Sequence, residues 1–390
     1  MEKEVLQQKI LEYAPGIGQR MKCLEKTKQY IEKIEQSSYN KKEEEIAPKK
    51  IAIVYDVDGW AFHNIAKEIK RYLSKDYEVN IFPKSVFDHN VVKMLLLTRH
   101  YNLIHVLWRG MFSELEGEYL KGYIKNMGFQ YEEFIQKYVL DACLTTSVYD
   151  HSFLNEDAFW ITNSFLKYTK GYTVSSKKLL SIYQNLPIEL KPYGEISDGV
   201  DLAKFKPENL ERFSQIKDRK IRIGWVGNSK FLDSEQDEDL KGVRQIILPV
   251  IEDLIKEGYP VEKKFADRND KFIPHEQMPQ YYNSIDLYIC ASKEEGTPNP
   301  VLESMACGVP IITTNVGIVS EVFGENQERF ILKSRSKEEL KKKIIELMEN
   351  PDVWQVLSQE NLEQIKQWSW ENKCEQFKEF FEQYIKRGEN

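Results

Sequence analysis

Leu287-Tyr-Ile-Cys290 followed by Ala291-Ser-Lys-Glu-Glu-Gly-Thr-Pro-Asn-Pro-Val-Leu-Glu-Ser-Met-Ala-Cys-Gly-Val-Pro-Ile311 is the stretch on which the fold turns. The first four residues read as a buried strand. Glu294, Glu295, Gly296, Thr297 and Pro298 form a loop. Asn299 is a good N-cap and Pro300 suits the first helical position. The spacing predicts a helix from Pro300 to about Cys307, stopped by Gly308 with Pro310 just beyond. Val309 to Thr313 reads as the next strand.

A helix start placed just after a strand presents unpaired N–H groups and a positive dipole end, which suit a phosphate or diphosphate. Glu295 precedes that start and Glu303 lies about one turn inside it. Carboxylates are poor phosphate ligands but good acceptors for sugar hydroxyls. A phosphate flanked by two such carboxylates describes a nucleotide-sugar. A capped helix with two solvated glutamates is the plainer alternative, and the agreement of so many special positions in one run argues against it.

This run resembles the E-x7-E signature of the family 4 retaining glycosyltransferases, with Glu295 and Glu303 as its acids. The likeness extends to Ser292 upstream and to Thr313, Gly317 and Glu321 downstream. It implies a GT-B architecture of two Rossmann-like, doubly wound α/β domains facing a cleft. It further implies that Glu295 binds hydroxyls of the transferred sugar and Glu303 the ribose. The backbone of Gly296, Thr297, Pro298, Asn299 and Val301, with Lys241, would hold the diphosphate. No metal and no cofactor are implied, the nucleotide-sugar being a co-substrate.

The rest of the chain fits that plan. Its 390 residues suffice for two domains with substantial cores. A 41% hydrophobic fraction describes a globular protein, and a net charge of −7 gives no bulk attraction to nucleic acid. No apolar run approaches the ~18–20 residues needed to cross a bilayer, and the start, Met-Glu-Lys-Glu, does not resemble a signal peptide. The five cysteines, Cys23, Cys143, Cys290, Cys307 and Cys374, are widely spaced with no C-x-x-C pair, which fits a reducing cytoplasm better than a disulfide framework or structural zinc.

Residues 1–48 read as a helical extension and charged linker, either packed on the body or docking it peripherally to a membrane face or a protein. Residues 49–207 form a first Rossmann-like domain on the acceptor side. Its strands are expected at 51–55, 78–82, 103–108, 142–148 and 172–175, with helices at 61–73 and across 117–138. Ser197-Asp-Gly-Val-Asp201 with Phe205 and Pro207 resembles the family's connector, Asp198 standing where that family usually has Asn. Residues 219–367 form the nucleotide-sugar-binding domain, with strands at 221–226 and 260–265 and a helix at 337–348. Residues 368–390 form a terminal helix, which in the resembled family crosses back to the first domain.

Further positions carry weaker signals. Lys241 before Gly242 matches the lysine that holds the donor diphosphate in the family. Asn228 occupies a slot where the family often has a cation, and Lys230 is the nearest substitute. Tyr149 and Asp150 end a strand where family members carry a histidine and an aspartate; here His151 is displaced by two. Gly59, in the loop Asp56-Val-Asp-Gly-Trp60, matches the family's first glycine loop without its usual Gly-Gly. Asp56 and Asp58 form a D-x-D triplet too early in the chain for the metal site of the GT-A architecture. His105 reads as a core histidine, Trp108 and Arg109 as a strand end, and Tyr281 and Tyr282 as core, while the resemblance implies that Phe272-Ile-Pro274 lies in the region that frames the base in the family.

The reading is a retaining, metal-independent hexosyltransferase. Its partners would be a nucleotide-sugar and an acceptor glycan, lipid carrier or protein. The alternative is a non-catalytic, nucleotide-sugar-binding partner subunit. A dinucleotide oxidoreductase lacks its G-x-G-x-x-G.

Overall fold

The computed structural model describes residues 48–150, 163–230 and 239–387. The extension expected over residues 1–48, Pro48 apart, and His151 lie outside the described residues. The described residues form two compact units. One holds residues 48–146, 163–171 and 381–387; the other holds residues 147–150, 172–230 and 239–380.

The first sheet is built from β1 (Lys50–Tyr55), β2 (Glu78–Pro83), β3 (Leu103–Val106), β4 (Leu144–Val148) and β5 (Gly171–Val174), in the order β2-β1-β3-β4-β5. β1 pairs in parallel with β2 and β3, and β3 with β4. Ile51, Ala52, Ile53 and Val54 are completely buried, as a continuous apolar run must be when both faces of a parallel sheet are covered. The helix Ala61–Leu73 supplies cover through Ile65, Ala66, Ile69 and Leu73, one stripe at helical spacing. His105 is a core residue as expected. Its Nδ1 lies 3.0 Å from Thr145 Oγ1, and burial holds the imidazole down at about 3, so it stays neutral.

The second sheet is built from β6 (Ile221–Gly227), β7 (Val261–Asp267), β8 (Leu287–Cys290), β9 (Ile311–Thr314) and β10 (Ile331–Leu332), in the order β10-β9-β8-β6-β7, with every neighbour parallel. Alternation along β8 sorts its side chains between two cores. Leu287 and Ile289 join Trp225, Leu254, Leu340 and Trp354 on one face. Tyr288 and Cys290 join Tyr282, Val301, Leu302 and Met305 on the other. Asp286, just before β8, is fully buried and accepts hydrogen bonds from the guanidinium groups of Arg219 at 2.7 Å and Arg222 at 3.0 Å. Burial alone would raise its carboxyl, but these bonds prevail and hold it below the usual range.

Some expectations are corrected. The stretch 117–138 breaks into the helix Glu118–Asn126, a turn at Gly128, where φ is +87°, and the helix Tyr131–Ile135, which runs on into a π-helical turn over Gln136–Leu140. The strand expected to reach Trp108 ends at Val106. A helix over Pro351–Gln364 was not anticipated. The terminal helix spans Trp370–Arg387 and buries Phe377, Phe380 and Phe381 completely. Among the described residues, no helix is long and apolar enough to cross a membrane.

Candidate functional site

In both sheets the strand order reverses once, between β1 and β3 in the first and between β6 and β8 in the second. Ligands of open parallel sheets lie beyond the carboxyl ends of the strands at that reversal. In the second sheet the loops concerned are Gly227–Lys230 after β6 and Ala291–Pro298 after β8, the loop that carries Glu295.

Glu295 Oε1 accepts hydrogen bonds from Lys241 Nζ at 2.6 Å and from Ser292 Oγ at 2.7 Å. The ion pair is largely shielded, the two side chains being about one-fifth exposed. Lys241 reaches Glu295 because its loop is drawn against the end of β8. The Lys293 amide donates to the Leu240 carbonyl at 2.9 Å. Gly242 has φ +71°, and a Cβ there would lie 2.4 Å from the Ala291 carbonyl oxygen, so only glycine fits the approach. Beyond Gly242, a π-helical turn over Val243–Ile247 leads into the helix Leu248–Lys256.

The site helix is Asn299–Ala306. Its N-cap is Pro298, not Asn299, and no side chain caps it. Asn299 is instead the first helical residue, and its Nδ2 donates to Asp198 Oδ2 at 3.0 Å. Asp198 also donates its amide to Thr297 Oγ1 at 3.2 Å. Within the turn, the amides of Asn299 and Val301 donate to the carbonyls of Thr297 and Pro298. Pro300 has no N–H. Val301 and Pro298 are buried, and Gly296 and Thr297 are partly open.

Glu303 projects from the same helix. Its Oε2 accepts from Tyr282 Oη at 2.7 Å, and its Oε1 lies 3.0 Å from His275 Nε2. Burial beside this carboxylate pushes the Tyr282 phenol far above its ordinary range. Tyr282 is thus core, as expected, but its hydroxyl serves the site. His275 follows Phe272-Ile-Pro274, of which Phe272 is exposed and Ile273 packs on the core.

The carboxyl ends of β4 and β5 meet the same loop. A Cβ on Gly296 would lie 1.7 Å from the carbonyl oxygen of Tyr149 and 3.2 Å from Ser175 Oγ. Tyr149 is buried, and burial raises its phenol far above the ordinary value, with the Asp198 charge adding to the effect. Asp150 beside it is partly exposed. Lys177 donates its amide to Glu321 Oε1 at 2.8 Å. Asn228 accepts from the Lys230 amide through Oδ1, a side-chain turn that leaves Lys230 exposed.

In the first sheet, Gly59 has φ +78° and donates its amide to His63 Nδ1 at 2.8 Å. Asp58 accepts from Tyr55 Oη at 2.7 Å, and burial raises the Asp56 carboxyl. Arg109 is buried and Trp108 is partly exposed.

Sequence reasoning missed Arg335, His275 and the clasp of Asp198 on the loop. Arg335 Nε donates to the Ala291 carbonyl at 2.8 Å, and its Nη2 donates to the Asp239 carbonyl, tying the lysine loop to the end of β8. No local pattern marks such residues, because their partners are main-chain groups and side chains remote in sequence.

Residues 270–366 match the family model described as glycosyl transferases group 1. Over 174 residues the chain is 25% identical to the O-antigen chain mannosyltransferase B of Escherichia coli, covering 40% of this chain and 45% of that protein. Over 55 residues it is 40% identical to the lipopolysaccharide core biosynthesis mannosyltransferase LpsB of Rhizobium meliloti, covering 14% of this chain and 16% of that one. The chain therefore matches less than half the length of either relative. In fold it resembles the sucrose-phosphate synthase of Thermosynechococcus elongatus, with a TM-score of 0.59 at 14% identity over 87% of this chain and 100% of that one. It also resembles Anabaena HepE in complex with UDP, with a TM-score of 0.58 at 13% identity over 86% and 100% of the two chains. The two parallel, Rossmann-like sheets are those of the GT-B fold. Residues 270–366, which hold both glutamates of the site, are thus similar to the glycosyl transferases group 1.

Proposed function

We propose that this protein is a retaining glycosyltransferase that moves a hexose-type sugar from a nucleotide-sugar to a glycan, lipid-carrier or protein acceptor. The observation that carries the reading is the placement of Glu295 in the loop before the helix Asn299–Ala306 and of Glu303 about one turn inside it, beyond the reversal of the second sheet, with Lys241 already on Glu295. The mannosyltransferases among the relatives favour a hexose.

Lys241 and Glu295 pair and neutralise each other. A donor separates them: its diphosphate takes the ammonium, and a sugar hydroxyl replaces it on the carboxylate. The amides of Gly296 and Thr297 are those best placed for the diphosphate, since Asn299 and Val301 donate within the turn. Lysine and amides together stabilise the negative charge that grows on the departing nucleoside diphosphate, the task a metal performs in other architectures. Glu303 accepts from the ribose. By resemblance, the acceptor attacks from the face the nucleotide leaves, and the β-phosphate takes its proton. Tyr149 and Asp150, with Gly59 from the first sheet, are assigned to the acceptor side and the donor loop. Asn228 and Lys230 line the turn after β6.

A thermal-shift panel of nucleotide-sugars is the first test. A true donor at 100 times its dissociation constant should stabilise the protein by ~2.7 kcal/mol. Glu295→Gln should keep the fold and the donor-induced shift while transfer falls on the order of 100-fold. Unchanged turnover in that variant would overturn the assignment. Binding without turnover over a broad donor and acceptor panel would replace it with the non-catalytic partner subunit. The anomer of the product, read by NMR, decides retention against inversion.

A further inference from the structure

We propose that His275 is a positioning residue for Glu303, and that a Lys204–His275–Glu303 chain of hydrogen bonds presents this carboxylate to the ribose of the bound nucleotide. The inference rests on the donor-site reading above and adds two residues to it.

The chain starts in the connector. Asp201 Oδ1 accepts the amides of Ala203 and Lys204 at 2.9 and 3.1 Å, which pins the backbone that carries Lys204. Phe205 is buried, and its ring packs 5.6 Å from the imidazole of His275. Lys204 Nζ lies 2.8 Å from His275 Nδ1. An ammonium has three donors and no acceptor, so Nδ1 must offer its lone pair. The ring proton then sits on Nε2, which faces Glu303 Oε1 at 3.0 Å. The lysine thereby selects the tautomer that donates to the glutamate.

Tyr282 holds the other oxygen, Oε2, at 2.7 Å. Each carboxylate oxygen has two lone-pair directions. One on each is taken by a fixed protein donor, and one on each remains. Two acceptors side by side match the vicinal hydroxyls of a ribose. With only Tyr282 in place, the carboxylate could turn about its last bond and lose that match. The Glu303 side chain is 13% exposed, so water offers little substitute for the lost donor, while His275 is 47% exposed and replaceable without a cavity.

The test uses the full chain and calorimetric binding of UDP, GDP and ADP, each beside its dideoxyribose counterpart. His275→Ala should weaken binding of the preferred ribonucleotide about three- to tenfold, the worth of one hydrogen bond, and leave the dideoxy form unchanged. His275→Gln should restore most of the loss, since its amide nitrogen can donate where Nε2 did. In a Glu303→Gln background His275→Ala should add nothing further. In turnover the donor KM should rise while kcat holds. An equal loss for ribose and dideoxyribose forms, or additive losses in the double variant, would overturn the proposal. Ribose discrimination that needs Glu303 but ignores His275 would sink this inference alone. No nucleotide binding by the unaltered protein would remove the donor site and this chain of bonds with it.

Discussion

Asp198 places a carboxyl where its surroundings resist a charge. It is 3% exposed, and burial raises its carboxyl to about 7, against the pull of the Asn299 hydrogen bond and Lys373. An ordinary aspartate titrates near ~3.9. The folded state therefore holds this proton more tightly than the unfolded chain does. The group's contribution to stability is whole below about pH 4 and is lost as the pH rises to about 7. Asp198→Asn keeps the shape and an acceptor for Asn299 but cannot ionise. It should stabilise the protein at pH 8 relative to pH 4 by about 2–4 kcal/mol, measured by urea unfolding at both values. An equal effect at the two values would show that the carboxyl is not the cause. At this scale the sequence pattern made the placement of the candidate residues legible where residue type and position reinforce each other. Glu295 sits beside a glycine in the loop before the site helix, Glu303 about one turn inside that helix and Lys241 just before Gly242, and the structure brings Glu295 and Lys241 into contact. His275 and Arg335 were not legible, because one polar residue in a loop looks like any other until its distant partner is known.

The elements that position these residues are short and depend on close approach. Gly242 lets the lysine loop lie against Ala291. Gly242→Ala faces both the positive φ and the 2.4 Å collision. It should cost about 1–3 kcal/mol and weaken nucleotide-sugar binding by moving Lys241. Thermal unfolding and donor titration read the two effects, and a variant normal in both would mean that the turn has slack. Strands such as β8 were readable because a buried parallel strand is apolar throughout. Their ends were less so, since the ladder stops where neighbours stop. The N-cap at Asn299 was misread because cap preference is local, whereas the partner of Asn299 is a hundred positions away. The helix Pro351–Gln364 escaped notice because its buried stripe is half polar: Trp354 and Leu357 alternate with Ser358 and Asn361. Asn361 spends its amide on the Val309 carbonyl and Gln327, a role no hydrophobic period announces.

Across the whole molecule, the two sheets repeat one strand order, and this much was legible as alternating strands and helices. What the pattern did not show is how the terminal helix is shared. It belongs to the second unit through Phe380 and to the first from Phe381 onward. The Phe381 ring lies 5.1 Å from His105, and Tyr77 Oη donates to Glu382 at 3.0 Å. Phe381→Ala should cost about 3–5 kcal/mol, and proteolysis should find β3 and its neighbours as the region that opens first. An unchanged unfolding midpoint would show that the helix only rests there. The same sharing bears on the order of synthesis. β1 to β3 are translated long before Phe381, whose ring packs against a residue of their core. A ribosome that has just made the first sheet has therefore not yet made all of its packing, and that sheet is complete only once Phe381 follows.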